Sequence, residues 1–156
     1  MRLIVIVLAV FLFAAESASA FCFDEAGKMY HVDPLLLWSI AKHESRMKPD
    51  AVNVNSNGSM DYGLMQINSW WVKKKKISPA QWQSLGDPCI NVKVGAWILS
   101  QCIRQHGYTW KAVGCYNAVT ERKQQRYAKI IFGIYDAAKQ ADRGKNQHLG
   151  KHRQDG

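Results

Sequence analysis

Two Asp-Pro pairs, Asp33-Pro34 and Asp87-Pro88, constrain this chain more than any other local feature. Asp caps the exposed N–H groups of a starting helix, and proline fits the first helical position, where its missing N–H costs nothing. Each pair is followed by apolar residues at helical spacing. After the first come Leu37, Ile40 and Ala41, with Glu44 on the same face. After the second come Ile90, Val94, Trp97, Ile98 and Cys102, an expected buried stripe that Gly107 ends. Thr109 is positioned to cap a further turn through Asn117. Arg122 to Lys139 carries Tyr127, Ile130, Ile131, Ile134 and Ala138 at the same period. Between the helices, residues 49–59 are rich in Asn, Ser and Gly and predict a loop or short strands. The period of Asp61 to Asn68 does not decide strand from helix. The expectation is a mostly α fold with at most a small β element near the middle.

The N-terminal residues predict export from the cytoplasm. Arg2 precedes an apolar run from Leu3 to Phe13, and Ala18-Ser19-Ala20 follows. A basic start, a short apolar segment and an A-x-A site predict a cleaved secretory signal over residues 1–20. The run is too short to span a bilayer, so no stable membrane insertion is expected after cleavage. A single domain is expected over 21–139. From Gln140 the chain is polar and basic and carries no apolar period, which predicts a disordered tail over 140–156. The net charge of +9 favours anionic partners such as phospholipid surfaces, acidic polysaccharides or carboxylate-bearing wall peptides. No nucleic-acid motif accompanies it.

Four cysteines remain after the signal, Cys22, Cys89, Cys102 and Cys115. In an exported chain they predict two disulfides, with three pairings open. No C-x-x-C pair occurs and the histidines are scattered, so no metal is expected. No cofactor is expected either.

Glu44 is the residue that points to chemistry. It ends an apolar stripe at the C-terminal, negative end of a helix dipole, and both settings favour the neutral acid. A carboxylic acid protonated near neutral pH is what glycosidic cleavage uses to protonate a leaving oxygen.

The surrounding residues add a family resemblance. Glu44-Ser45, the block Gly63-Leu-Met-Gln-Ile-Asn68 and Tyr116-Asn117 resemble the three signatures of the soluble lytic transglycosylases, which have a lysozyme-like fold. The run from Asn57 to Trp71, Asp61 included, is also similar to the central segment of c-type lysozymes. The likeness spans Cys22 to Tyr135. It is nearest to the small transglycosylases attached to type III secretion and conjugation systems, which share the Cys-Phe start, the Pro-Cys before a helix and Gly-Ala-Trp-Ile-Leu at 95–99.

The resemblance implies a periplasmic enzyme with its substrate groove between the helical part and the small β element. It implies cleavage of the bond between N-acetylmuramic acid and N-acetylglucosamine in peptidoglycan, leaving 1,6-anhydro ends. A secretion-system component is an implied partner. Glu44 matches the acid, Gln66 the contact to substrate amides, and Tyr116 and Asn117 the pair that holds the acid and the sugar. Ser45 and Asn68 are carried over as substrate-binding. Asp61 is expected as a second carboxylate and keeps a hydrolytic lysozyme open as an alternative. A wall-binding assembly protein without activity is a further one. The expected disulfides are Cys22–Cys89, which the resemblance supports independently, and Cys102–Cys115. Lys73 to Lys76 is expected to be a solvated face. The tryptophans Trp70, Trp71, Trp82, Trp97 and Trp110 are expected to be mostly core, with one of Trp70-Trp71 lining a sugar groove. His43 is expected to face away from the apolar stripe, with no role.

Overall fold

A computed structural model describes residues 21–152; the expected signal at 1–20 lies outside them. Seven α-helices and a three-stranded sheet follow in chain order: α1 (Phe23–Tyr30), α2 (Pro34–Glu44), β1 (Val52–Val54), β2 (Met60–Tyr62), β3 (Ile67–Asn68), α3 (Trp70–Lys73), α4 (Pro79–Gln83), α5 (Pro88–His106), α6 (Trp110–Asn117) and α7 (Glu121–His152). Among the described residues no helix is long and apolar enough to cross a membrane.

Both Asp-Pro pairs open helices. Asp33 accepts from the Leu35 N–H, and Asp87 from the Ile90 N–H. Asp33 also takes the Tyr135 hydroxyl at 2.6 Å, which ties the start of α2 to α7. The central helix α5 buries Asn91, Val92, Gly95, Ala96, Ile98, Leu99 and Cys102. The expected stripe is therefore turned: Ile98 and Cys102 are buried, Val94 and Trp97 are half-buried, and Ile90 is exposed. Neighbours α1, α2 and α6 pack around α5 and bury Gly95 and Ala96 along with the larger Val92, Ile98 and Leu99.

Both disulfides form as expected, Cys22–Cys89 and Cys102–Cys115. The first ties the chain ahead of α1 to the start of α5. The second joins α5 to α6 beside Tyr116.

The sheet is antiparallel in the order β1-β2-β3. Its register sets Asp61 opposite Asn53 on one side and opposite Asn68 on the other. The turn from β2 to β3 is fixed by buried Asn91, whose amide donates to the Tyr62 and Leu85 carbonyls and accepts from the Met65 N–H at 2.8 Å. Gly63 makes that approach possible. Its φ is +78°, and a Cβ there would lie 2.1 Å from the Asn91 amide nitrogen.

Two expectations change, for the tail and for Ile130. The chain after Gln140, expected to be disordered, continues α7 to His152. It contains no proline, and its Ala, Lys, Arg and Gln are good helix formers that outweigh two glycines. The tryptophans are mostly core, as expected: Trp71, Trp82 and Trp97 pack on it, while Trp70 and Trp110 are exposed by 46% and 39%. Ile130 also lies on the outer side of α7. The short helix α4 had a legible signal in Ser78-Pro79-Ala80-Gln81, which forms a complete capping box.

Candidate active site

The sheet and the helices α2, α5 and α6 enclose a groove of about 1360 Å³. Glu44, at the last position of α2, is set into its wall, and Asp61 faces the same groove from β2. Burial pushes the Glu44 carboxyl from an ordinary 4.5 up to about 7, and the negative charge of Asp61 adds to the rise. Two donors work the other way, Tyr127 and the Asn117 amide. The balance leaves an acid that is neutral and oriented, yet able to ionise near pH 7.

The orienting donor is Tyr127. Its hydroxyl donates to Glu44 Oε1 at 2.5 Å from a ring that is 5% exposed. Burial, followed by the neighbouring Glu44 charge, raises the Tyr127 hydroxyl well above its ordinary value, so it stays a donor. Its ring stacks on Tyr116, with centroids 6.5 Å apart. Tyr116 was expected to hold the acid. Its hydroxyl instead donates to the Met65 carbonyl at 2.7 Å, which joins α6 to the β2–β3 turn. Asn117 lines the groove together with Glu44. His43, expected to have no role, meets the Tyr127 ring edge-on at 5.4 Å.

Asp61 is held by a ring of amides. Asn68 donates to Oδ1 at 2.6 Å; Asn55 and Asn53 donate to Oδ2 at 2.8 and 3.3 Å. Asn68 was expected to bind substrate. It lines the groove, but its amide nitrogen serves Asp61 and Ser59, and its oxygen accepts from the Trp70 N–H. These bonds fix Asp61 and the start of α3. Ser45, also expected to bind substrate, does not line the groove. It is 7% exposed and its hydroxyl donates back to the Ala41 carbonyl, closing α2 away from the groove. Gln66 lines the groove with its amide N–H groups committed to the Ala51 and Gly63 carbonyls.

Trp70 lines the groove with its ring edge-on to Trp71 and Lys74 over its face. Lys73 to Lys76 are exposed, as expected, and Lys73 reaches the groove. Tyr127, Asn91, Asn53 and Asn55 are the site residues that sequence reasoning missed. Tyr127 had a signal: a hydroxyl-bearing side chain on a buried helical stripe needs a partner. Asn91, a lone amide in an apolar helix, had a similar one.

The transglycosylase SLT domain model matches residues 21–130. The invasion protein IagB of Salmonella typhimurium is 46% identical over 134 residues, covering 83% of this chain and 84% of that protein. Protein IpgF of Shigella flexneri is 38% identical over 128 residues, covering 79% and 84%. The crystal structure of an inactive mutant of the lytic transglycosylase Slt from Pseudomonas aeruginosa superposes with a TM-score of 0.58 at 21% identity. That match covers 76% of this chain but only 23% of the neighbour, and it shows the shared fold. With the family model over most of its length and relatives of nearly its own size, the chain belongs to the transglycosylase SLT family, the lytic transglycosylases of lysozyme-like fold.

Proposed function

We propose that the chain cleaves the β-1,4 bond between N-acetylmuramic acid and N-acetylglucosamine in peptidoglycan, leaving 1,6-anhydro ends. The observation that carries this reading is Glu44, a groove carboxyl held neutral up to about pH 7 and oriented by Tyr127. In the first step Glu44 gives its proton to the glycosidic oxygen as the bond to the muramic C1 breaks. The muramic 6-hydroxyl then closes onto C1, and its proton returns to Glu44. No water is consumed and the enzyme ends as it began. Asp61 supports the positive charge that develops at C1. The free oxygen of Gln66 accepts from a substrate amide, and Asn117 holds Glu44 and the sugar.

Asp61 also favours a second reading, hydrolysis by a retaining pair of carboxyls. Mass spectrometry of fragments from purified sacculi separates the two. Anhydro ends, lighter by one water, support the proposal; reducing ends support hydrolysis. The expected signal at residues 1–20 and the proposed substrate support work in the periplasm. The resemblance to secretion-associated transglycosylases, together with a relative named as an invasion protein, supports a role in opening local gaps in the wall for a secretion apparatus.

A further inference from the structure

A second pocket, of about 350 Å³, opens between α6 and α7. Gly114 lets these helices meet, since a Cβ there would lie 2.5 Å from the Gln124 carbonyl oxygen. The wall beside that crossing is Trp110, Ala128 and Phe132, with the Trp110 and Phe132 rings edge-on at 5.1 Å. Both rings stay substantially open to solvent, by 39% and 47%. Lys111 and Lys129 are the pocket's cations and Glu121 is its acid.

The pocket is not isolated. Lys111, Glu121 and Gln124 line it and also line the catalytic groove. The groove therefore adjoins a small, apolar-walled pocket with two cations and one anion. We infer that this pocket takes the peptide stem of the strand whose glycan occupies the groove. Methyl-bearing, alanine-like residues fit the aromatic wall, and stem carboxylates suit Lys111 and Lys129. A free ammonium on the stem suits Glu121.

This inference rests on the proposed reaction for its substrate, but its test does not depend on turnover. Lys129 and Phe132 line the pocket alone and not the groove, so Lys129→Glu and Phe132→Ala leave the groove lining intact. Calorimetric titration with a free stem tetrapeptide reads the pocket directly. The full chain should bind it, and each variant should bind at least five times more weakly, with far-UV spectra and melting temperature confirming the fold. In parallel, kcat/KM is compared on stem-bearing strands and on strands stripped of stems by an amidase. Wild type should prefer stem-bearing strands about tenfold, and the variants should lose that preference while matching wild type on stripped strands. Equal losses on both substrates, or unchanged peptide binding, would overturn the stem pocket. Concentration-dependent self-association abolished by Phe132→Ala, without peptide binding, would assign the face to a second copy and overturn it too. A wild type that binds the peptide but cuts neither strand would leave the pocket standing and remove the proposed reaction.

Discussion

Glu44→Gln should stabilise the protein at alkaline pH, and the size follows from the carboxyl's setting. In the unfolded chain Glu44 ionises at its ordinary 4.5; in the folded chain burial holds it neutral up to about 7. Between these values the folded state binds one more proton than the unfolded state, so the Glu44 contribution to stability falls as pH rises and is constant above about 7. At about 1.36 kcal/mol for each tenfold in proton affinity, the full cost is about 3 kcal/mol. Glutamine has the same shape, accepts from the Tyr127 hydroxyl and does not ionise. The variant should match wild type near pH 4 and exceed it by about 3 kcal/mol at pH 8. Urea unfolding followed by tryptophan fluorescence, at half-unit steps from pH 4 to 8.5, measures the difference. A gap that stays flat across this range would refute the reasoning, because Glu44 would then be ionising alike in both states.

Wild-type activity should fall as pH rises through about 7, where Glu44 loses its proton; Tyr127→Phe, which removes a bond favouring the charged form, should move that limb to higher pH and lower kcat about tenfold or more. Asp61→Asn should cut turnover at least tenfold on the same peptidoglycan with the melting temperature nearly unchanged, and should move the limb to lower pH because a charge that raises Glu44 is gone. Asn91→Ala should destabilise by about 3 kcal/mol or more in urea unfolding, since it strands the Met65 N–H and the Tyr62 and Leu85 carbonyls in the interior. Replacing Cys102 and Cys115 together by serine should cost about 3 kcal/mol, measured as a lowered urea midpoint, for a bridge closing a loop of this length.

The helices were legible because their start signals and apolar periods are local. Asp33-Pro34, Asp87-Pro88 and Gly107 mark element ends that the structure places at the same residues, and Glu44 stood out as an acid on an apolar stripe. What the sequence hid is which hydroxyl reaches that acid. Tyr116 is next to Asn117 in the chain, but Tyr127 reaches Glu44 because α2 packs on α7. That pairing spans 83 residues, and no local pattern encodes it. The amide ring around Asp61 was hidden for the same reason, since Asn53 and Asn68 become its neighbours only through strand register. The turn of α5 away from its expected stripe has a similar origin: three packed neighbours, not side-chain size, decide which residues go inside. At the other end, lack of an apolar stripe after Gln140 did not stop α7, whose composition sustains a helix beyond its packed part.

The most direct test of the account is the digestion of purified sacculi by wild type and Glu44→Gln at pH 6, with released fragments read by mass spectrometry. Wild type should release fragments with 1,6-anhydro-muramic ends, and the folded variant none. Anhydro fragments released by Glu44→Gln at more than about a tenth of the wild-type rate would contradict the assignment of Glu44 as the acid.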